Sequence, residues 1–362
     1  MSCPGRNGAR DRNSCKASSC KASSCKAISR VRRHVSDPVP RIGYKLIAEG
    51  YGPKEIVRQA VLAEEAGFDF VEVSDHFHPW LTEQEHSGFV WSMLASMAER
   101  TKRIELATGV TCPTIRYHPA IVAQAAATTA ILSDGRFTLG VGAGEQLNEH
   151  VVGRGWPAVG VRHEMLREAL EIIRLLWEGG YRSYSGRHLR LEDARVFDLP
   201  AIAPKIAVAV GGPASARIAA ELGDGIFATE PRPDLVESYA EAGGSGPKYA
   251  EVPLSYAQTE DAAAASAHEK FRFGLTGWKV QAELPNPVNF DAATAFIRPD
   301  DMKETFGCGP DAARHVEVAQ QFVDAGFDNL ALINAGPDPD SFFEFFADEL
   351  GDRVRALTPA DR

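Results

Sequence analysis

From Ile42 onward the chain alternates short β-rich runs with stretches of helical periodicity, the pattern of a parallel sheet joined by crossover helices. Strands are predicted at 42–47, 70–73, 104–108, 137–141, 206–210, 225–228, 252–256 and 329–333. Eight runs close a (β/α)8 TIM barrel, which needs about 250 residues. The 362 residues, 44% of them hydrophobic, are enough to bury one such core. The expected organisation is therefore α/β: a single TIM-barrel catalytic domain with insertions over 41–358, preceded by a disordered extension over 1–40. The extension is rich in Ser, Cys, Lys and Arg, repeats Ser-Cys-Lys-Ala-Ser from Ser14, and has no apolar stretch.

The clearest predicted helix carries Met165, Leu166, Ala169, Ile172, Ile173, Leu176 and Trp177 on one face and ends at Gly179-Gly180. Ala-Gly-Phe-Asp occurs twice at helix-to-strand joints, at 66–69 and 325–328, and Leu222-Gly223-Asp224-Gly225 is a close variant. All three read as one αβ turn with a left-handed glycine. Two insertions break the rhythm. Residues 182–197 alternate around Gly186 as a hairpin; 260–300 form a long helical, Pro-rich excursion, the candidate substrate wall.

A net charge of −10 argues against a nucleic-acid or anionic-membrane surface. Four of the six cysteines, Cys3, Cys15, Cys20 and Cys25, lie in the extension, leaving only Cys112 and Cys308 beyond it. No disulfide framework follows, and with no signal-peptide core the cytoplasm is the expected location.

At the end of the second run stands Asp75-His76-Phe77-His78-Pro79-Trp80, at the strand end where a TIM barrel keeps its chemistry. His76 suits a general base because an imidazole titrates near neutrality, and Trp80 suits an apolar wall or a stacking surface. A packed structural histidine is the plainer alternative. His76 and His78 also form a His-x-His pair, as in some zinc hydrolases, but the other histidines avoid the ends of the fifth, sixth and eighth runs, so no metal is expected. The fourth run ends in small residues from Gly140 to Gly144, then Glu145, a carboxyl group that can move a proton. Gly211-Gly212-Pro213 opens a helix with proline at its first position, leaving backbone N–H groups for an anion such as a cofactor phosphate; an ordinary βα turn is the alternative.

Together, Gly43-Tyr44-Lys45 with Glu49, Ser74 to Trp80, Pro113 to Pro119, Gly140 to Glu149 and Val210 to Pro213 resemble the F420-dependent glucose-6-phosphate dehydrogenases, members of the luciferase-like barrel superfamily. The resemblance runs from about Ile42 to Leu357 and thins after Thr229. It implies coenzyme F420, an 8-hydroxy-5-deazaflavin, bound by Asp75, Gly109, Val110, Cys112, Gly144, Asn148, Gly211 and Gly212, with a cis peptide between Gly109 and Val110. Cys112 stands where the family usually has threonine. The resemblance implies His76 as the base for a sugar C1 hydroxyl, Glu145 as the acid toward the deazaflavin, Trp80 beside the reacting centre and Glu49 as a further active-site carboxylate. Base and acid are expected to face each other across the bound ring. For a substrate phosphate, Arg232, Lys279 and Lys303 are the matching candidates. The implied function is oxidation of a sugar 6-phosphate at C1 to the lactone, with hydride transfer to the cofactor. The alternatives are an F420-dependent dehydrogenase of an unphosphorylated alcohol, an FMN-dependent luciferase-like monooxygenase, and a non-catalytic cofactor binder, which would have no use for both an acid and a base. A homodimer is expected by analogy with the fold.

Overall fold

The computed structural model describes residues 39–360. The chain runs β1 (Arg41–Leu46), α1 (Pro53–Glu65), β2 (Phe70–Val73), α2 (Val90–Arg100), β3 (Glu105–Thr108), α3 (Pro119–Leu132), β4 (Phe137–Val141), the short α4 (Gln146–Glu149) and α5 (Val159–Trp177). A hairpin of β5 (Arg182–Ser185) and β6 (Arg190–Ala194) leads to β7 (Lys205–Ala209), α6 (Pro213–Leu222), β8 (Gly225–Ala228), α7 (Pro233–Glu241) and β9 (Lys248–Ser255). Four helices follow: α8 (Glu260–Phe271), α9 (Trp278–Gln281), α10 (Pro287–Thr294) and α11 (Pro299–Met302). The chain then completes β10 (Gly307–Cys308), α12 (Ala312–Asp324), β11 (Asn329–Asn334), α13 (Pro339–Phe345) and α14 (Gly351–Arg355).

Strands β1, β2, β3, β4, β7, β8, β9 and β11 pair in parallel in that order, and β11 returns to β1, closing an eight-stranded barrel; β10 adds a short edge to β9. The predicted runs coincide with these strands except at β9, which begins at Lys248 rather than 252, because its polar first half hides the strand. The expectation for residues 1–40 falls, apart from Val39 and Pro40, outside the described residues.

Seven of the described helices, α1, α3, α6, α7, α10, α11 and α13, start with proline in the first turn, where its fixed φ suits the helix and its missing N–H costs nothing. At the opposite end of the barrel, Gly67 and Gly326 are left-handed, at φ 88° and 95°. Gly223 departs from the expectation: its φ is −91°, and it is glycine because a Cβ there would lie 2.8 Å from the Ala219 carbonyl oxygen. What the three turns share is their aspartate. Asp69, Asp224 and Asp328 each accept a backbone N–H from the start of a neighbouring strand, Ile42, Ile206 and Lys248, all at 2.8 Å. These bonds tie successive strands together at the face away from the chemistry.

Side chains alternate in and out of the barrel. Its lower interior is filled by Phe70, Ala207, Phe227, Tyr249 and Ala331. Gly43 leaves room for this plug, since a Cβ there would come within 2.3 Å of the Phe70 ring. Two residues further up the same inward rows stand Lys45, Glu72 and Glu251, directly under the mouth.

Candidate active site

His76 lies just past the end of β2, beside Glu49 from the β1–α1 loop and Glu145, the N-cap of α4. Its Nδ1 is 2.5 Å from Glu49 Oε1, and its Nε2 is 3.4 Å from Glu145 Oε1. All three are largely buried. Burial by itself lowers the imidazole pKa, but the charge and hydrogen bond of Glu49, helped by Glu145, outweigh it and leave His76 above its ordinary value. Burial likewise raises Glu49, and His76 and Lys45 reverse this, so that carboxyl ends below its ordinary value. The group is thus a carboxylate–imidazole–carboxylate line. At 3.4 Å, His76 and Glu145 touch, so, contrary to expectation, they do not face each other across a gap the width of a ring.

Trp80 stands edge-on to His76, with ring centroids 5.0 Å apart. Its other contacts come from the long insertion: Phe273 stacks on it at 4.7 Å and Phe290 meets it edge-on at 5.1 Å. The segment 260–300, expected to form a substrate wall, thus packs aromatic side chains against Trp80. Arg272 pins it by pairing with Glu83 and Asp291.

Several implied cofactor contacts serve internal bonding. Asp75 Oδ2 accepts from Thr111 and Oδ1 from Arg116 and Tyr117. Asn148 Oδ1 accepts the N–H groups of Phe77 and His78, while its Nδ2 donates to Glu145 Oε1 at 2.6 Å. These residues fix the base and acid relative to each other. The Gly109–Val110 peptide bond is cis, as the resemblance implies. Cys112 is buried, with Sγ 3.2 Å from Thr114 Oγ1, and burial pushes its thiol well up. Gly144 presses against it, since a Cβ there would lie 2.6 Å from Cys112 Sγ. Gly211 and Gly212 precede α6 as expected, but the Gly211 N–H donates to Ser215 Oγ at 3.1 Å and is not free. The turn is otherwise open: a Cβ on Gly212 would meet nothing within 4 Å. His78 does not join His76 as a pair, because its Nδ1 is engaged with the Leu147 carbonyl. Among the described residues no group of three or more His, Cys, Asp or Glu is arranged to hold a metal ion.

Of the three phosphate candidates, two stand near Gly211 and the third is paired with acids. Arg232 is half exposed, bound to Asp234, with Nη1 3.4 Å from the Gly211 oxygen. Lys279 is exposed on α9, next to Trp278, which packs near Gly211. Lys303 bonds Asp261 at 2.7 Å and Asp300 at 2.9 Å, so two carboxylates already neutralise it.

Sequence reading missed the charged layer beneath the mouth. Lys45 Nζ donates to the Gly109 carbonyl at 2.9 Å and pairs with Glu251 at 2.5 Å; Glu72 is 3.8 Å away. Neither Glu72 oxygen has a hydrogen-bond partner, and burial, opposed by Lys45 and reinforced by Glu251, pushes its carboxyl well up. Two carboxyl groups thus share one ammonium, which favours the protonated form of Glu72. The available signal was a charged residue at an inward position of an otherwise apolar strand, in Arg41–Leu46 and Phe70–Val73 alike.

At the carboxyl mouth of the closed parallel barrel, Glu49, His76 and Glu145 thus stand in line beside Trp80. A family model described as luciferase-like monooxygenase matches residues 39–329. The F420-dependent glucose-6-phosphate dehydrogenase of Nocardia farcinica is 36% identical over 331 residues, covering 87% of this chain and 98% of the relative. That of Kribbella flavida is 36% identical over 338 residues, covering 88% and 99%. Among solved structures, an F420-dependent secondary alcohol dehydrogenase in complex with an F420-acetone adduct matches with a TM-score of 0.81 and 29% identity, covering 87% of this chain and 99% of that one. The chain belongs to the luciferase-like family and, within it, to the F420-dependent glucose-6-phosphate dehydrogenase family.

Proposed function

We propose that the protein is an F420-dependent dehydrogenase acting on a CH–OH donor, a sugar 6-phosphate oxidised at C1 to the lactone being the first candidate. The observation that carries this reading is the Glu49–His76–Glu145 line beside Trp80. Coenzyme F420, when bound, supplies a two-electron acceptor that takes a hydride from the carbinol carbon. The donor set suits such a group: a proton acceptor and a proton donor side by side, and an open glycine turn at the head of the ten-residue α6 for a phosphate. Asp75, Gly109, Val110, Cys112, Gly144, Asn148, Gly211 and Gly212 are the residues proposed to form its pocket. Asp75 and Asn148 do so by holding the walls.

In this reading His76 Nε2 takes the hydroxyl proton as the C–H bond breaks, and Glu49 at Nδ1 stabilises the resulting imidazolium. Glu145 is the acid proposed to deliver a proton toward the ring, from the oxygen that Asn148 leaves free. Trp80 and Phe273 exclude water from the reacting carbon.

A second reading, oxidation of an unphosphorylated alcohol, is favoured by one observation: Arg232 and Lys303 are already paired with carboxylates, while the wall over His76 is aromatic. One experiment separates the readings. The protein is titrated with F420, then offered glucose 6-phosphate, other hexose phosphates and simple secondary alcohols while the deazaflavin absorbance is followed. Failure to bind F420 ends both readings, and oxygen uptake with reduced FMN in its place would support the monooxygenase alternative. Bleaching with hexose phosphates supports the first; bleaching only with unphosphorylated alcohols supports the second.

We further propose a cytoplasmic homodimer. Among the described residues no helix is long and apolar enough to cross a membrane. Support for pairing comes from α3, whose outer face carries Ile121, Ile131 and Leu132 exposed, with no charged residue in the helix. Light scattering should return twice the chain mass; a monomer at all concentrations would remove the dimer.

A further inference from the structure

We infer that Arg116 is a positioning residue that sets the separation of His76 and Glu145 by joining the end of β2 to α4. The inference rests on the reading of these two residues as base and acid. Arg116 stands in the loop between β3 and α3. Its Nη2 donates to the Asp75 carbonyl oxygen, in the peptide immediately before His76, and to Asp75 Oδ1 at 2.9 Å. Its backbone N–H donates to Glu149 Oε2 at 2.7 Å, and its Nε lies 3.5 Å from Glu149 Oε1. Glu149 closes the four-residue helix whose N-cap is Glu145. One residue thus grips the chain just before the base and the far end of the helix that begins at the acid.

The surroundings make this grip stiff. Asp75, Thr111 and Glu149 are buried, Thr111 and Tyr117 take the remaining Asp75 contacts, and the guanidinium lies 4.5 Å over the Tyr117 ring. Charge-assisted bonds shielded from water are strong and directional. Burial pushes the Glu149 carboxyl up to about 7, with Arg116 opposing and Glu145 and Asp75 adding to the rise. A misplacement of about 1 Å in such a pair costs on the order of 100-fold in rate.

The test compares Arg116→Met, Arg116→Lys and Glu149→Met; the last removes the acceptor of the Arg116 N–H. The primary readout needs no cofactor: His76 is titrated by NMR with and without Glu145→Gln in each background. The groups facing that ring are Glu49, Glu145 and Lys45. In the wild type Glu145→Gln should move the His76 titration; with Arg116→Met that movement should fall below about half, the coupling between the two residues having been lost. In the loaded enzyme Arg116→Met should lower kcat roughly 30-fold while KM for the alcohol changes less than about threefold, and Lys, which keeps the charge but not the fork, should recover part of the loss. If Glu145→Gln moves His76 equally with and without Arg116→Met, the inference is overturned; should that variant not fold, the same equality in Glu149→Met overturns it. Because the NMR cycle runs on cofactor-free protein, it holds or fails independently of which cofactor or alcohol the enzyme uses.

Discussion

Around the ends of β1, β2 and β4, Glu49, His76 and Glu145 are joined by contacts of 2.5 and 3.4 Å, and Asn148 braces them from below. The insertion α8–α11 meets the same space with Phe273 and Phe290, and its Lys303 faces its own acids. In the proposed function the first region handles protons, which demands interlocked titratable groups, and the second meets the alcohol, which demands surface and little charge. On that proposal chemistry and selectivity sit on different segments of the chain, and each can be perturbed separately.

The largest effect is expected from His76→Ala, which should lower kcat about 1,000-fold while cofactor affinity, read by fluorescence titration, changes less than about threefold. An active variant would dissolve the distinction between the two regions. Next comes Glu145→Gln, with kcat down about 100-fold, measured by stopped-flow bleaching of the deazaflavin. Glu49→Gln tests the same region through pH. His76 must be neutral to accept a proton, and its pKa is raised above 6.5, so the acidic limb of kcat/KM should lie above that pH. Removing the Glu49 charge should move the limb to lower pH. A limb that stays in place would mean that Glu49 does not set the basicity of His76.

For the wall, Phe273→Ala should raise KM about tenfold with kcat nearly unchanged, the mark of lost binding shared by ground and transition states. A fall in kcat alone would assign Phe273 to the chemistry. The smallest effect is expected at Lys303→Ala: KM for glucose 6-phosphate should change less than about twofold, as its partners are Asp261 and Asp300. A tenfold rise would show that the insertion reorganises around a phosphate and would weaken the comparison.

Much of this was legible in the chain. Seven of the eight barrel strands begin within a residue of their predicted starts, because a parallel strand buried on both faces reads as a short apolar run between turn signals. The structure brings His76, Trp80 and Glu145 together at the barrel mouth, as their places just past strand ends, visible in sequence, implied. The repeated Ala-Gly-Phe-Asp was visible too, although its shared role belongs to the aspartate more than to the glycine, as Gly223 shows.

What the sequence determined by itself was local: strand and helix alternation, proline helix starts, and the residues carried at each strand end. Only the tertiary structure brought Lys45 to Glu251, 206 residues away, Arg116 to both Asp75 and Glu149, and Phe273 onto Trp80. Such pairs depend on the register and closure of the barrel, which decide which side chains point inward and which loops meet. A charge confined inside a closed sheet must find its partner there, and no pattern along the chain names that partner.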